Sequence, residues 1–329
     1  MMGSVLALCG GVGGAKLALG LLRALGPDEL TVIVNTGDDF EHLGLRISPD
    51  IDTVLYTLGG VADQERGWGR ADESWNFMAS LRQLGGETWF QLGDRDLAMH
   101  VERTKYLRAG GILTDYVGHA AHRLGIGARI LPMTDEEVRT IVETDEGTLE
   151  FQHYFVERRC RPQVRSLWFA GASRTRVSAT VSRAIFDASR AIVICPSNPY
   201  LSIDPILSIP GVRASLKEAI APIVAVSPLV GGEAVKGPTA KIMRELGIEV
   251  SNVSLAAHYH DLLDGLIIDT ADAGQIRGID VPVHATATLM QSLEDRVRLA
   301  DEVLAFAGAL AIPRLERVLS PHVSAGVFA

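Results

Sequence analysis

The chain has 329 residues, 47% of them hydrophobic and 22% charged, a composition that fits one large α/β domain or two average ones and excludes disorder. Lys and Arg number 31 against 40 Asp and Glu, a net charge of −9, so nucleic acid and anionic membranes are poor partners while small anionic ligands remain open. Three cysteines, Cys9, Cys160 and Cys195, have no CxxC or zinc-type spacing, which points to a reducing compartment, with Cys9 and Cys195 as small buried residues.

From the N-terminus, Met1 to Gly10 carries no basic residue and an apolar run too short for a signal peptide. No stretch reaches the roughly 18 apolar residues that span a bilayer, so a soluble cytoplasmic protein is expected. Ser4 to Cys9 reads as a buried strand, closed by Gly10-Gly-Val-Gly-Gly14 and followed by helical spacing over Ala15 to Leu25. Leu30 to Val34 is a second strand, completing a βαβ unit with a glycine-rich first turn. Thr88 to Leu92 reads as a strand and Asp96 to Leu107 as a helix. Ala191 to Cys195, Pro222 to Val226 and Leu266 to Asp269 are further buried strands, and Ser292 to Ala311 a closing helix.

Residues 128–170 break this alternation with short β-rich pieces at Ile130-Leu131, Val138 to Glu143, Thr148 to Phe155 and Leu167 to Phe169, with a hairpin turn at Asp145-Glu-Gly147. The expected fold is therefore α/β: a doubly wound, mostly parallel Rossmann-like sheet over 1–127 and 171–329, carrying a small antiparallel β insertion at 128–170.

The glycine loop suits an anion, because glycines between strand and helix let backbone N–H groups and the helix dipole approach it. It matches neither GxxxxGK[ST] nor GxGxxG, since Lys16 follows Ala15 and stands at the third glycine position. The second strand ends in Asn35, not in the acid that grips a ribose in NAD enzymes, which weakens a dehydrogenase reading. Asn35-Thr-Gly-Asp-Asp39 falls on the same sheet edge, with Asp50 and Asp52 downstream. Such acids beside a phosphate loop suit Mg²⁺, so Asp38, Asp39, Asp50 and Asp52 are candidate ligands, one of them able to orient or deprotonate an attacking hydroxyl. Asp50 could equally cap a helix beginning near Ile51. In Gly93-Asp-Arg-Asp96, Arg95 could grip a phosphate or carboxylate, or pair with a neighbouring acid, and Asp94 or Asp96 could cap the next helix. Pro196-Ser-Asn-Pro199 is a rigid turn able to aim a hydroxyl and an amide at a ligand. Trp68 and Trp75, with Arg66 and Arg70, form an aromatic and basic lid or ordinary loop packing. The histidines fit surface or packing positions.

Taken in order, Gly10 to Lys16, Val34 to Asp39, Ile47 to Tyr56, Leu92 to Asp96, Ile130 to Met133, Pro196 to Pro199, Ile203 to Gly211 and Val226 to Pro228 with Gly237-Pro238 resemble the 2-phospho-L-lactate transferase (CofD) family across nearly the whole chain. The resemblance implies an enzyme of coenzyme F420 biosynthesis. It would move a phosphorylated three-carbon acid from a guanosine diphosphate-linked donor to the terminal hydroxyl of the deazaflavin Fo, releasing GMP with Mg²⁺. By the same resemblance Asp52 would contact Fo, with Gln91 at the second Fo position, where some members carry a basic residue. Gly10, Gly11, Gly13, Gly14 and Lys16, together with Ser197 and Asn198, would hold the nucleotide, and Asp38 or Asp52 would serve the chemistry. The glycine loop and Gly-Asp-Asp are more like bacterial members, which points to phosphoenolpyruvyl rather than phospholactyl or phosphoglyceryl transfer. A homodimer and a functional link to the guanylyltransferase that makes the donor are the family expectations. The competing reading is a nucleotide-sugar-binding regulator of the gluconeogenesis-factor type, without transfer chemistry.

Overall fold

The structure is a computed structural model that describes residues 3–319. Its first strand, β1 (Val5–Cys9), is buried on both faces, as a continuous apolar run in a parallel sheet must be. Helix α1 (Gly11–Ala24) follows at once, and β2 (Leu30–Val34) returns parallel to β1 with Ala7 opposite Val32. A short hairpin, β3 (Phe40–His42) and β4 (Leu45–Ile47), leads into α2 (Pro49–Leu58), where Pro49 occupies the first turn that tolerates it. Three helices come next: α3 (Asn76–Gln83), α4 (Asp94–Arg108) and α5 (Leu113–Arg123).

The chain then re-enters the sheet through β5 (Arg129–Pro132), parallel to β2. An antiparallel three-stranded sheet follows, built from β6 (Arg139–Thr144), β7 (Gly147–Glu150) and β8 (Val164–Ala170), with β6 in the middle. The main sheet resumes with β9 (Ala191–Ile194) and β10 (Ile223–Val226). A two-stranded hairpin, β11 (Leu229–Val230) and β12 (Glu233–Ala234), is followed by β13 (Gly265–Asp269) and β14 (Val283–Thr286). The seven main strands are all parallel in the order β14-β13-β10-β9-β1-β2-β5. Successive residues of β1 feed opposite faces. Val5, Ala7 and Cys9 join α1, α2, α5 and the closing helix Leu293–Leu319 in one core, while Leu6 and Leu8 join the other. Among the described residues no helix is long and apolar enough to cross a membrane.

Three expectations need correction. Ile130-Leu131 belongs to the main parallel sheet rather than to the antiparallel insertion, because α5 supplies the crossover that brings β5 beside β2. Thr88 to Leu92 is not a strand. Gln91 Nε2 donates to the Thr88 carbonyl at 2.6 Å, and Trp89 and Phe90 pack on Phe40 and His42, so the apolar residues serve an aromatic cluster. Thr148 to Phe155 stops being a strand at Glu150 and becomes a π-helical turn over His153–Glu157. Phe151 and Phe155, four residues apart, stack with centroids 5.2 Å apart, a spacing that only helical backbone provides. The hairpin at Asp145-Glu146 is present, with Thr144 paired to Gly147 at φ +108°. The closing helix runs on through Pro313 to Leu319.

Where α1 crosses the closing helix, Gly20 allows the backbones to touch: a Cβ there would sit 2.0 Å from the Arg296 carbonyl oxygen. Gly→Ala inside a helix ordinarily stabilises by about 1 kcal/mol. Here Gly20→Ala should instead destabilise by roughly 1–3 kcal/mol, the usual range for overpacking. A urea-unfolding midpoint at or above that of the wild type would show that the crossing is looser than described.

Candidate active site

The carboxyl ends of the parallel strands open into a cavity of about 720 Å³, the position where such sheets bind ligands. Its base is the turn from β1 into α1. Ser197 Oγ, arriving from the end of β9, donates to the Gly10 carbonyl at 2.8 Å and accepts from the Gly10 N–H at 3.1 Å. The approach is so close that a Cβ on Gly13 would lie 2.4 Å from the Pro196 carbonyl oxygen, and one on Gly14 2.4 Å from Ser197 Oγ. Gly10, Gly11 and Gly13 line the cavity; Gly14 is buried behind it beside Cys9 and Cys195, so its part is packing. Asn198 Oδ1 caps the turn that follows by accepting from the Tyr200 and Leu201 N–H groups. Its buried Nδ2 has no partner among the described residues, and the residue faces the cavity.

The predicted acids gather here but divide into two chemical kinds. Asp50 does not cap α2. Its carboxylate accepts from the Gly11 N–H at 2.8 Å and from Asn35 Nδ2 at 2.9 Å, tying α2 to the start of α1. Burial raises Asp50 to about 6, against those hydrogen bonds. Asp38 also lines the cavity, and burial, then the Asp50 charge, push it well above the carboxylate range. One Asp38 oxygen, Oδ1, is buried without a hydrogen-bond partner. Asp39 sits behind the lining, accepting from Ser48 Oγ at 2.7 Å, and is raised by burial to about 7. A buried carboxylate disfavoured as a bare anion suits a hard divalent cation, and two such acids line the cavity: Asp38, with its open oxygen, and Asp50, whose oxygens accept only neutral N–H groups.

Asp52 is different: the fully buried Arg103 of α4 grips both its oxygens, Nη1 at 3.1 Å and Nη2 on the other. Burial works against the Arg103 charge, and Asp52 more than restores it, so the guanidinium stays firmly protonated. His100 bridges onward, Nδ1 3.7 Å from Asp52 and Nε2 3.3 Å from Asp96, and the Tyr56 hydroxyl donates to Asp96. Asp52, Asp96 and His100 place ligand atoms within 4.8 Å of one another. The guanidinium on Asp52 nevertheless makes that cluster a poor cation site compared with Asp38 and Asp50. Asp96, His100 and Arg103 were not singled out as a group by sequence reasoning. The signal was there as a polar i, i+4, i+7 stripe on α4, matched by Asp52 and Tyr56 at i, i+4 on α2.

Other expected residues fall unevenly. Arg95 points outward, over half exposed, with Nη1 3.9 Å from Asp72, and it does not line the cavity. Asp94 caps the neighbouring α3 through the Asn76 and Phe77 N–H groups, while Glu73 caps α4 through those of Arg95 and Asp96. Gln91 lines the cavity with its amide nitrogen turned to Thr88. Lys16 lines it too, donating to the Met290 carbonyl at 2.8 Å, its pKa lowered by burial and by Arg296 and Lys236. Lys236 and Arg66 complete the cationic part, Arg66 lying over Trp68 and Trp75 at 5.3 and 4.8 Å. Flat apolar surface comes from Trp68, Phe90, Phe151 and Phe155. The cavity thus offers acids, cations and aromatic faces to one occupant or two, Arg66 being held in place by Asp63 at 2.7 Å.

The sequence model of a family described as 2-phospho-L-lactate transferase CofD matches residues 5–296. A phosphoenolpyruvate transferase of Kitasatospora aureofaciens is 41% identical, over 92% of this chain and 97% of that protein. A 2-phospho-L-lactate transferase of Methanosarcina mazei is also 41% identical, over 90% and 97%. In fold, a solved UPF0052-family protein from Bacillus halodurans superposes with a TM-score of 0.60 at 14% identity, covering 92% of this chain and 99% of that one.

Because Asp39 and Asp50 are raised in the fold, the native protein keeps protons that the unfolded chain has lost above about pH 4. Their contribution therefore turns increasingly unfavourable as pH rises from about 4 to about 7. Relative to Asp39→Asn, which cannot ionise, the metal-free wild type should lose stability across that window, and Mg²⁺ or Mn²⁺ at pH 7.5 should recover part of it. A stability gap between the two proteins that does not change with pH would refute this electrostatic account.

Proposed function

The chain belongs to the 2-phospho-L-lactate transferase CofD family of enzymes, and on that premise we propose that it transfers a phosphoenolpyruvyl group from a guanosine diphosphate-linked donor to the terminal hydroxyl of the deazaflavin Fo. GMP leaves and a dehydro form of coenzyme F420-0 is made. The observation that carries this reading is the composition of the strand-end cavity: buried acids, the cationic side chains of Lys16, Arg66 and Lys236, and a set of aromatic faces share one space. A diphosphate-linked donor needs the first two, and a flat tricyclic acceptor the third.

Transfer at phosphorus depends on positioning and on neutralising charge more than on an unusual nucleophile. The first turn of α1 spends its Gly11 N–H on Asp50, which leaves those of Val12 and Gly13 beside the cavity for the donor's phosphate oxygens. Lys16, Arg66 and Lys236 add positive charge for the phosphate and the three-carbon carboxylate. Asn198 Nδ2, without a partner among the described residues, supports a hydrogen bond to the nucleotide. Mg²⁺, held by Asp38 and Asp50, would supply charge neutralisation at the diphosphate. Asp52, held by Arg103, accepts the hydrogen bond of the attacking Fo hydroxyl and orients it. Trp68, Phe90 and the π-helical Phe151 and Phe155 give the deazaflavin its stacking surface and keep bulk water from the reacting phosphorus. A homodimer, a cytoplasmic location and supply of the donor by a guanylyltransferase belong to the same proposal.

Asp52→Asn keeps size and hydrogen-bonding shape but loses the charge. At saturating Fo and Mg²⁺ it should lower turnover by at least about 10²-fold, the scale of a lost positioned acid or base, with thermal unfolding still cooperative. Wild-type turnover in that variant would remove Asp52 from the reaction. Mass spectrometry of products from Fo, GTP and the guanylyltransferase, with phosphoenolpyruvate, phospholactate or phosphoglycerate supplied singly, should give the dehydro product in largest yield. A dominant phospholactate product would reverse the donor assignment, and an absence of Fo binding by fluorescence would favour a nucleotide-sugar regulator.

A further inference from the structure

Arg103 is absent from the cavity lining, yet the carboxylate it holds is part of that lining. The cation stands behind the wall and the anion in it. Arg103 is itself fixed from several sides. Its Nη1 also donates to the Arg46 carbonyl at 3.3 Å, and its guanidinium carbon lies 5.6 Å from the Tyr116 ring centroid. The Tyr116 hydroxyl is anchored by donating to the Met99 carbonyl at 2.9 Å. A buried ion pair is poor at stabilising a fold, since apolar side chains of the same volume do as well or better. What it does supply is a carboxylate held in one orientation. Asp38 and Asp50 line the same cavity, and among the described residues no Lys or Arg side chain is hydrogen-bonded to either.

We infer that Arg103 is a positioning residue that divides the acids of the site: by holding Asp52 from behind it withdraws that carboxylate from the metal and reserves it for the acceptor, leaving the divalent cation to Asp38 and Asp50. The inference rests on the transferase reading above for what Asp52 addresses, and on the side-chain geometry alone for the division. Neither Arg103 nor its bidentate grip touches substrate; every effect of Arg103 on the reaction passes through Asp52.

Two measurements on the full-length protein test this. Mn²⁺ binding, followed by electron paramagnetic resonance without substrates, should change by no more than about twofold in Arg103→Lys and in Asp52→Asn, and fall at least tenfold in Asp38→Asn. In steady-state kinetics, Arg103→Lys retains a charge but loses the fork, and should lower kcat by about 10- to 100-fold. Placed on Asp52→Asn, the same change should cost no more than about a further twofold, as expected of residues acting as one unit. Full multiplication of the two losses would mean that Arg103 acts independently of Asp52. A tenfold loss of Mn²⁺ affinity in Arg103→Lys or Asp52→Asn would put Asp52 in the metal site; either result overturns the inference. Should Arg103→Lys fail to fold, the double variant Arg103→Gln with Asp52→Asn removes both charges together, and its Mn²⁺ affinity decides the matter in the same way. If the wild type transfers nothing to Fo, the proposed reaction fails while the metal titration still judges the division of the acids.

Discussion

The site depends on one steric constraint: the turn leaving β1 must run in contact with the turn leaving β9. Ser197 holds the two together through both polar atoms of Gly10, and only residues without a Cβ can occupy Gly13 and Gly14 at that distance. Everything on the strand-end edge follows from this contact. It lets α1 begin directly after the strand, which exposes first-turn N–H groups, and one of these fixes Asp50 and through it the start of α2. The glycine loop is therefore a joint between two halves of the sheet.

Polarity in the interior is managed by pairing some charges and leaving others unmet. The Asp52–Arg103 pair, with His100, Asp96 and Tyr56 around it, sets each carboxylate against a donor and ties α2 to α4. Asp38, Asp39 and Asp50 carry the opposite arrangement: burial without a directly bonded cation, and a raised affinity for protons as the result. A folded protein tolerates such groups where a ligand of opposite charge is to arrive, since perturbed carboxylates in a cleft mark working sites more often than structural ones.

Much of this was legible in the sequence. The buried strands announce themselves as unbroken apolar runs, and their order with the helices fixes a parallel sheet and so the edge on which Asp38, Asp50, Asp52, Ser197 and Asn198 meet. What was hidden had physical reasons. The inward face of α4 is polar, so Asp96, His100 and Arg103 look like a solvated surface until a partner acid on α2 is seen. Trp89 and Phe90 mimic a strand while packing in a cluster, and Phe151 and Phe155 reveal their helical spacing only to a reader who does not assume the preceding hairpin continues. Arg95 shows the reverse error, since a charge next to a strand end can point away from the cavity. Ile130-Leu131 has too few residues to tell a parallel edge strand from an antiparallel one.

The cavity walls are drawn from residues as far apart as Gly10 and Met290. The complete pocket therefore needs chain from both ends of this range, and contacts so distant in sequence carry the loop-closure entropy that slows folding. Occupancy is thus reserved for the finished fold, so substrate in the cell acts by mass action as a stabiliser of complete molecules alone.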